Sequence, residues 1–221
     1  MRDLQAAGGA ALSGQDETQQ RGRAVRLLAI TGALVLLADL ATKQLTLWAL
    51  TDGEAVRLLG GAVYLTLTRN SGAAFSLGSD YTFIFPIITL VVLGWIGWLA
   101  RSLRSVPWAV ALGLVLGGAL GNLTDRVFRA PGPLVGHVVD MVSLFDPHGR
   151  VWPVFNLADS ALMAGVGLGI LLELTGRQRD GRRLRPEPSP AEPSPAEPSP
   201  AAPSPAATGA AAVTSSARGG S

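Results

Sequence analysis

"VFNLADSALMAGVGLGILLEL", residues 154–174, is mostly an apolar run of the kind that crosses a membrane, but it begins with two polar side chains. From 161 to 172 the residues are apolar or small, as in a helix that contacts lipid. Asn156 and Asp159 stand at the entrance to this run, where an amide and a carboxylate are costly unless they have a function. The stretch therefore predicts a membrane-spanning helix whose first turn is either a helix cap or part of a site.

The composition of the whole chain indicates an integral membrane protein. Of its 221 residues, 48% are hydrophobic and only 15% are charged, and the mean hydropathy is +0.34. Such a balance is unusual for a soluble domain. Three further apolar runs occur upstream, at 25–50, 81–100 and 106–122. We therefore predict a membrane all-α bundle of four transmembrane helices, the first of which is interrupted by Asp39 and Lys43.

Basic residues gather at the ends of the predicted spans and indicate the topology. They precede the first span, connect the second to the third and follow the fourth, at Arg21, Arg23, Arg26, Arg101, Arg104, Arg177, Arg179, Arg182, Arg183 and Arg185. All three clusters fall on one side of a four-span chain, so the positive-inside rule puts both termini in the cytoplasm and segments 51–80 and 123–153 outside. The pI of about 9.7 is thereby explained, and no nucleic-acid partner is expected.

Both ends of the chain differ in composition from the part between them. Residues 1–22 are polar and rich in Gly, Ala and Gln, and residues 186–205 repeat Pro, Ser, Ala and Glu. Such segments do not bury a core. We predict a disordered cytoplasmic arm over 1–23, a membrane domain over 24–176, and a basic, then Pro/Ala/Ser-rich disordered cytoplasmic tail over 177–221. A cleaved signal peptide is the alternative for the first span, but the apolar residues continue past Lys43 and favour an uncleaved helix.

The chain has no Cys and only two His residues. This composition excludes disulfides, thiolate metal sites and a cysteine nucleophile. His137 and His148 are too isolated for a metal site, so we expect neither a metal nor a cofactor.

The segment after the first span has the two-residue period of a β-strand. In "AVYLTLT", residues 62–68, aliphatic residues alternate with hydroxyl-bearing ones. Because an amphipathic strand can rest on a membrane surface, a small extracytoplasmic β-sheet is predicted there.

Polar residues recur near the predicted outer ends of the first span and the strand. Asp39 and Lys43 lie four apart on one helix face, which favours an ion pair. That Lys43 snorkels to the outer interface and Asp39 simply pairs with it is as good an explanation as a site. Asn70 and Gly72 begin the stretch "NSGAAF", which by itself is typical of a generic loop.

The later outward segments add three polar groups and two carboxylates in apolar surroundings. Asn122, Asp125 and Arg126 share roughly one face at the end of the third span, as an interfacial cap also would. Asp140 is flanked by Val and Met in "HVVDMVSLF", and Asp159 by Ala and Ser in "FNLADSA". Two carboxylates that come close share one proton, so the ionised one takes a proton from water and the other donates to a carbonyl oxygen. This is the chemistry of aspartic proteolysis, which needs no metal.

Five motifs, taken in order, resemble those of bacterial lipoprotein signal peptidase, also called signal peptidase II. They are "DLATK" (39–43), "NSGAAF" (70–75), "GNLTDR" (121–126), "VVDMVSLF" (138–145) and "FNLADSAL" (155–162). Each motif alone is weak, but the five occur in the expected order on four predicted spans. The resemblance covers about residues 26–175, everything but the two ends.

The resemblance implies an aspartyl endopeptidase of the bacterial inner membrane, with its active site near the outer face and a strand-rich cradle beside it. Such an enzyme cleaves prolipoproteins just before a diacylglyceryl-modified cysteine, so the implied partners are these substrates and membrane lipids, and a monomer is expected. By matching motif, Asp140 and Asp159 would be the catalytic dyad. The residues expected to shape the site or contact the substrate are Asp39, Lys43, Asn70, Gly72, Asn122, Arg126 and Asn156.

Two other functions account for part of the pattern. A small membrane transporter or proton-relay protein uses carboxylates deep within its spans, but only Asp39 fits that description, and Lys43 is close enough to neutralise it. A packing scaffold explains the glycine-rich helices and the Pro-rich tail. It offers no reason for two Asp residues in matched apolar surroundings.

Overall fold

A bundle of four helices with a three-stranded sheet at one end makes up residues 2–72 and 83–184, the part of the chain that the computed structural model describes. The helices are α1 (Arg2–Leu50), α2 (Ile84–Leu99), α3 (Val106–Phe128) and α4 (Leu157–Leu174). The strands are β1 (Val56–Leu58), β2 (Val63–Asn70) and β3 (Val138–Leu144). The end of the "NSGAAF" motif, the start of the second predicted span and most of the predicted tail lie outside the described residues.

All four helices are long and apolar enough to cross a membrane. Large apolar side chains project outward from the bundle: Leu34 of α1 is 63% exposed, Val91 of α2 is 67% exposed and Met163 of α4 is 74% exposed. A soluble protein rarely leaves so much apolar surface uncovered. The four predicted spans are therefore confirmed, and their outer faces suit contact with lipid.

Helix α3 packs against α1, α2 and α4, and glycines make two of these contacts close. A methyl group on Gly117 would stand 2.6 Å from the carbonyl oxygen of Gly32 on α1, and one on Gly118 would stand 2.5 Å from that of Ala158 on α4. A larger residue at either position would push the helices apart. The close approach brings polar side chains of α1, α3 and α4 within hydrogen-bond distance of one another.

The sheet is antiparallel, with the strand order β1-β2-β3. Strand β2 confirms the predicted strand and continues it to Asn70. It pairs with β3 so that Thr68 opposes Asp140 and Asn70 opposes Val138. Because residues two apart on a strand share a face, Asn70 and Asp140 lie on the same side of the sheet as diagonal neighbours.

Helix α1 differs from the prediction at its beginning. It starts at Arg2, so residues 2–23, for which the sequence predicts a disordered arm, are helical in the structure. This stretch contains no Pro, and its Ala and Gln residues favour a helix, whereas its Gly residues do not.

The chain after α4 also differs from the prediction. Residues 176–184, most of which the sequence assigns to the disordered tail, fold back as a C-terminal hairpin in which Leu184 N donates to Gly176 O (2.9 Å). Its turn contains Gly181, whose φ of 88° is a conformation that glycine adopts without strain.

Candidate active site

Backbone pairing brings the two candidate catalytic carboxylates together. Asp140 lies on β3, and Phe155, just before α4, pairs with Val142 of the same strand. Phe155 N donates to Val142 O (2.9 Å), and Val142 N donates to Phe155 O (2.8 Å). This bridge sets Asn156 beside Asp140, so that Asp159, in the first turn of α4, faces the same space.

Two asparagine side chains hold Asp140 from both sides. Asn156 Nδ2 donates to Asp140 Oδ1 (2.7 Å), and Asn70 Nδ2 donates to Asp140 Oδ2 (2.9 Å). The orientation of each amide is set because its own Oδ1 accepts a backbone N–H. Asn156 Oδ1 accepts from Asp159 N (2.9 Å), and Asn70 Oδ1 accepts from Gly72 N (2.8 Å). Both amides therefore present N–H groups to Asp140.

Asp159 is held by the start of α4 and by α3. Its Oδ2 accepts the backbone N–H of Asn156 (3.2 Å), which completes a capping box at the first turn of the helix. Its Oδ1 accepts an N–H from Asn122 Nδ2 (2.7 Å). The first turn of α4 is thus a helix cap, and the same bonds orient a carboxylate toward Asp140.

A buried cation lies beneath the two carboxylates. The side chain of Lys43 is 0% exposed, and its Nζ is 2.7 Å from Asp39 Oδ2, 3.0 Å from Asp125 Oδ2 and 3.0 Å from Asn122 Oδ1. Because Lys43 donates to Oδ1 of Asn122, the Nδ2 of Asn122 is free to donate to Asp159. The predicted pair with Asp39 is present, and snorkelling of Lys43 to the interface is wrong.

The two acidic partners of Lys43 also tie neighbouring segments together. Asp39 Oδ1 accepts the backbone N–H of Ala158 in α4 (2.9 Å). Asp125 Oδ2 accepts the backbone N–H of Val139 in β3 (3.1 Å), and its other oxygen pairs with Arg129. These contacts fix α1, α3, α4 and β3 relative to one another around the carboxylates.

A cavity of about 320 Å³ opens beside the carboxylates, between α2, α3, α4 and the sheet. Its apolar lining residues include Ile88, Val92 and Leu162. Its polar lining residues include Asn70, Asn122, Arg126, Asp140 and Asp159. A cavity with apolar walls and a few convergent polar groups is typical of a substrate site.

Arg126 and Gly72 border this cavity through their contacts with Phe85. The guanidinium carbon of Arg126 lies 4.7 Å from the centroid of the Phe85 ring, a cation–π distance. Gly72 has a φ of 95°, and a Cβ there would stand 2.6 Å from Phe85 Cε2, so a side chain at this position would be both strained and overlapping.

The surroundings of the two carboxylates differ in exposure. Asp140 is 1% exposed, whereas Asp159 is half-buried and borders the cavity. Burial raises the pKa of Asp140 to about 6, and the nearby charge of Asp159 acts in the same direction, against the amides of Asn70 and Asn156. Asp140 therefore holds a proton at a pH where an ordinary aspartate is ionised.

The structure brings all the predicted site residues into one cluster. Asn156 contacts both carboxylates, Asp39 and Lys43 lie beneath them, and the others line the cavity: Asn70, Gly72, Asn122, Arg126, Asp140 and Asp159. The sequence did not assign a role to Asp125 or to Phe85. A carboxylate three residues after Asn122 was a usable signal, whereas a Phe within an apolar span gives none.

Comparison with known proteins covers the same part of the chain. The family described as "Signal peptidase (SPase) II" matches residues 31–175, a range that includes every predicted site residue. A "Lipoprotein signal peptidase" from Mycobacterium avium (strain 104) is 46% identical over 169 residues, which are 76% of this chain and 90% of the relative. One from Leifsonia xyli subsp. xyli is 45% identical over 164 residues, which are 74% of each chain.

Two solved structures described as bacterial membrane enzymes have a similar fold. The first has a TM-score of 0.58 and 31% sequence identity, and the match covers 66% of this chain and 92% of that one. The second has a TM-score of 0.56 and 31% identity, with 66% and 87% covered.

Proposed function

Because the chain belongs to the signal peptidase II family of aspartic peptidases, we propose that Asp140 and Asp159 are the catalytic pair with which it removes signal peptides from prolipoproteins. The observation that carries the proposal is the position of Asn156. Its side-chain amide donates to Asp140, and its backbone N–H donates to Asp159, so the two carboxylates border one cavity. Its four apolar helices and its family make the chain a multi-pass enzyme of the bacterial inner membrane.

The proposed reaction uses one proton shared by the pair. The ionised carboxylate takes a proton from water, the water oxygen attacks the carbonyl carbon of the scissile bond, and the protonated carboxyl donates its proton to the carbonyl oxygen. The tetrahedral intermediate then collapses, the C–N bond breaks, and the amine leaves with a proton from the pair. We assign the protonated role to Asp140, whose pKa is raised by burial, and the basic role to Asp159, which water reaches from the cavity.

The apolar lining of the cavity supports a substrate that carries lipid. It includes Ile88, Val92 and Leu162, and a second, apolar cavity of about 380 Å³ lies further along α2, α3 and α4. A diacylglyceryl-modified cysteine would present its acyl chains to these walls while its preceding peptide bond meets the carboxylates. Arg126 and Asn122, among the polar lining residues, are the proposed contacts for the peptide backbone.

The two ends of the bundle support an orientation with both termini in the cytoplasm. At the end away from the site, Arg104 pairs with Glu17 of α1 (2.9 Å), close to the arginines of the C-terminal hairpin. At the site's end, Trp48, Phe128 and Trp152 are exposed, as aromatic residues at a membrane interface are. The positive-inside rule then puts the active site near the outer face. Since one chain supplies every side chain of the site, we propose that the enzyme is a monomer.

The test is cleavage of a diacylglyceryl prolipoprotein by the purified full-length protein in the presence of a chelator. We expect the signal peptide to be released, with mass spectrometry locating the cut just before the modified cysteine. The unmodified precursor is the matched control, and it should be cleaved far more slowly. If the chelator abolished cleavage and added metal restored it, the metal-free mechanism would be contradicted. Equal cleavage of both precursors would contradict the lipid requirement.

The raised pKa of Asp140 predicts the pH dependence of the reaction. As pH rises through about 6, Asp140 loses the proton that it must donate, so kcat/KM of the enzyme should fall along an alkaline limb. In Asn70→Ala the ionised form loses an amide donor, which raises the pKa of Asp140 and moves this limb to higher pH. Initial rates from about pH 4.5 to about pH 8.5, the range in which such a group titrates, measure the alkaline limb of the wild type and that of Asn70→Ala. A limb that moves to lower pH in Asn70→Ala would refute the assignment of the proton to Asp140.

A further inference from the structure

At the end of the bundle opposite the active site, the C-terminal hairpin packs on the connection between α2 and α3. Arg104 N and Ser105 N both donate to Arg179 O (2.9 and 3.0 Å), and the indole Nε1 of Trp108 donates to Arg177 O (2.7 Å). These bonds use backbone oxygens of the hairpin and leave the guanidinium groups of Arg177 and Arg183 available for other contacts.

A cavity of about 310 Å³ lies between this hairpin and the beginning of α3. In the first turn of α3, Pro107 has no N–H and Ser105 N donates to Arg179 O. Val106 and Trp108 therefore carry the remaining N–H groups without a partner within the helix, and the helix dipole makes this end favourable for an anion. Ser105, the residue before the helix, borders the cavity and is 9% exposed. Its hydroxyl makes no capping hydrogen bond to α3 and none to any other described residue. At the cavity wall, this hydroxyl is a donor that a ligand in the cavity can accept from.

The charges around the cavity are mainly positive. Arg177, Arg182 and Arg183 line it, and among the described residues only Arg182 has an acidic partner, Asp180, at 3.5 Å. Guanidinium groups bind phosphate oxygens with two parallel hydrogen bonds, which makes arginine well suited to a phosphate. The cavity thus combines a helix N-terminus, an unpaired hydroxyl and two guanidinium groups without acidic partners.

We propose that this cavity binds the phosphate group of an anionic phospholipid. It lies where α3 begins and α4 has just ended, which is the headgroup level of the bilayer for helices that span it. Val106, which lines the cavity, and Leu174, the last residue of α4, are exposed and apolar, so they give acyl chains a surface at this level of the bundle. Lipid is present at this depth at all times, whereas a soluble phosphate has no use for that apolar surface.

The test is binding of phosphatidylglycerol to the full-length protein in detergent, followed by native mass spectrometry and compared with phosphatidylcholine. We expect preferential retention of phosphatidylglycerol. The double variant Arg177→Ala/Arg183→Ala should bind it about 30-fold more weakly, because it loses two guanidinium groups and keeps every backbone bond of the hairpin. Ser105→Ala should weaken binding by about threefold.

The matched control is Arg21→Ala/Arg101→Ala, which removes the same charge from exposed positions outside the cavity. It should bind phosphatidylglycerol as the wild type does. An equal loss in the control would show a general charge effect and overturn the site. Equal retention of phosphatidylcholine, or displacement of the lipid by inorganic phosphate at the same concentration, would also overturn it. The readout is binding, so it does not depend on the catalytic roles of Asp140 and Asp159.

Discussion

Asp140→Asn and Asp159→Asn each abolish cleavage: we expect kcat to fall by at least about 10³-fold in either variant. Neither amide can hold or exchange the proton that the pair must share. KM should change little, because the cavity walls and Arg126 remain. The measurement is release of the signal peptide under single-turnover conditions with excess enzyme, which separates chemistry from product release.

The matched control is Asp52→Asn, which removes an exposed carboxylate from the outward segment after α1 and should keep wild-type activity. Each site variant also loses a hydrogen-bond acceptor. The Nδ2 of a new Asn would face an amide donor, from Asn70 or Asn156 at position 140 and from Asn122 or the Asn156 backbone at 159. That costs about 1–3 kcal/mol of stability. Thermal unfolding in detergent therefore has to accompany the assay. Wild-type activity in either folded variant would rule out the pair.

The spans and the two carboxylates were predictable because their signals are local. Apolar runs mark the helices, and the strand at 62–68 follows from its alternation. The motifs and their order predict that Asp140 and Asp159 belong to one site. Their approach depends on a contact that no local pattern encodes, the pairing of Phe155 with Val142, which joins the entrance of α4 to β3.

Side chains that act through long-range packing were harder to predict. The i,i+4 spacing of Asp39 and Lys43 indicates a pair, but Asp125 joins it from α3 only because glycines let α1 and α3 approach closely. Phe85 reaches Arg126 across the cavity from a span that looks uniformly apolar in sequence. The C-terminal hairpin forms in a stretch that composition alone assigns to a disordered tail, because it finds backbone partners in the α2–α3 connection.

Lys43→Met should destabilise the protein by about 3–5 kcal/mol, the usual cost of removing one partner from a buried ion pair. Lys43 is 0% exposed, and its removal leaves Asp39 buried without a counter-ion and Asp125 with Arg129 alone. Met fills a similar volume, so the loss reflects charge rather than a cavity. The melting temperature in detergent, measured with a dye that reports unfolding, is the first readout.

Lys43→Met should also lower kcat in the fraction that remains folded. Without Lys43, the Oδ1 of Asn122 keeps only the N–H of Asn156 Nδ2 (3.1 Å), so its own Nδ2 is held less firmly toward Asp159. The matched control is Arg26→Met, which removes a cation from an exposed position on the same helix and should change stability by less than about 0.5 kcal/mol. The double variant Lys43→Met/Asp39→Asn removes the uncompensated charge of Asp39, and the amide oxygen of the new Asn still accepts from Ala158 N. It should therefore recover part of the stability that Lys43→Met loses, but not the kcat. A Lys43→Met protein with wild-type melting temperature and kcat would show that the buried cation neither holds the helices nor positions Asn122.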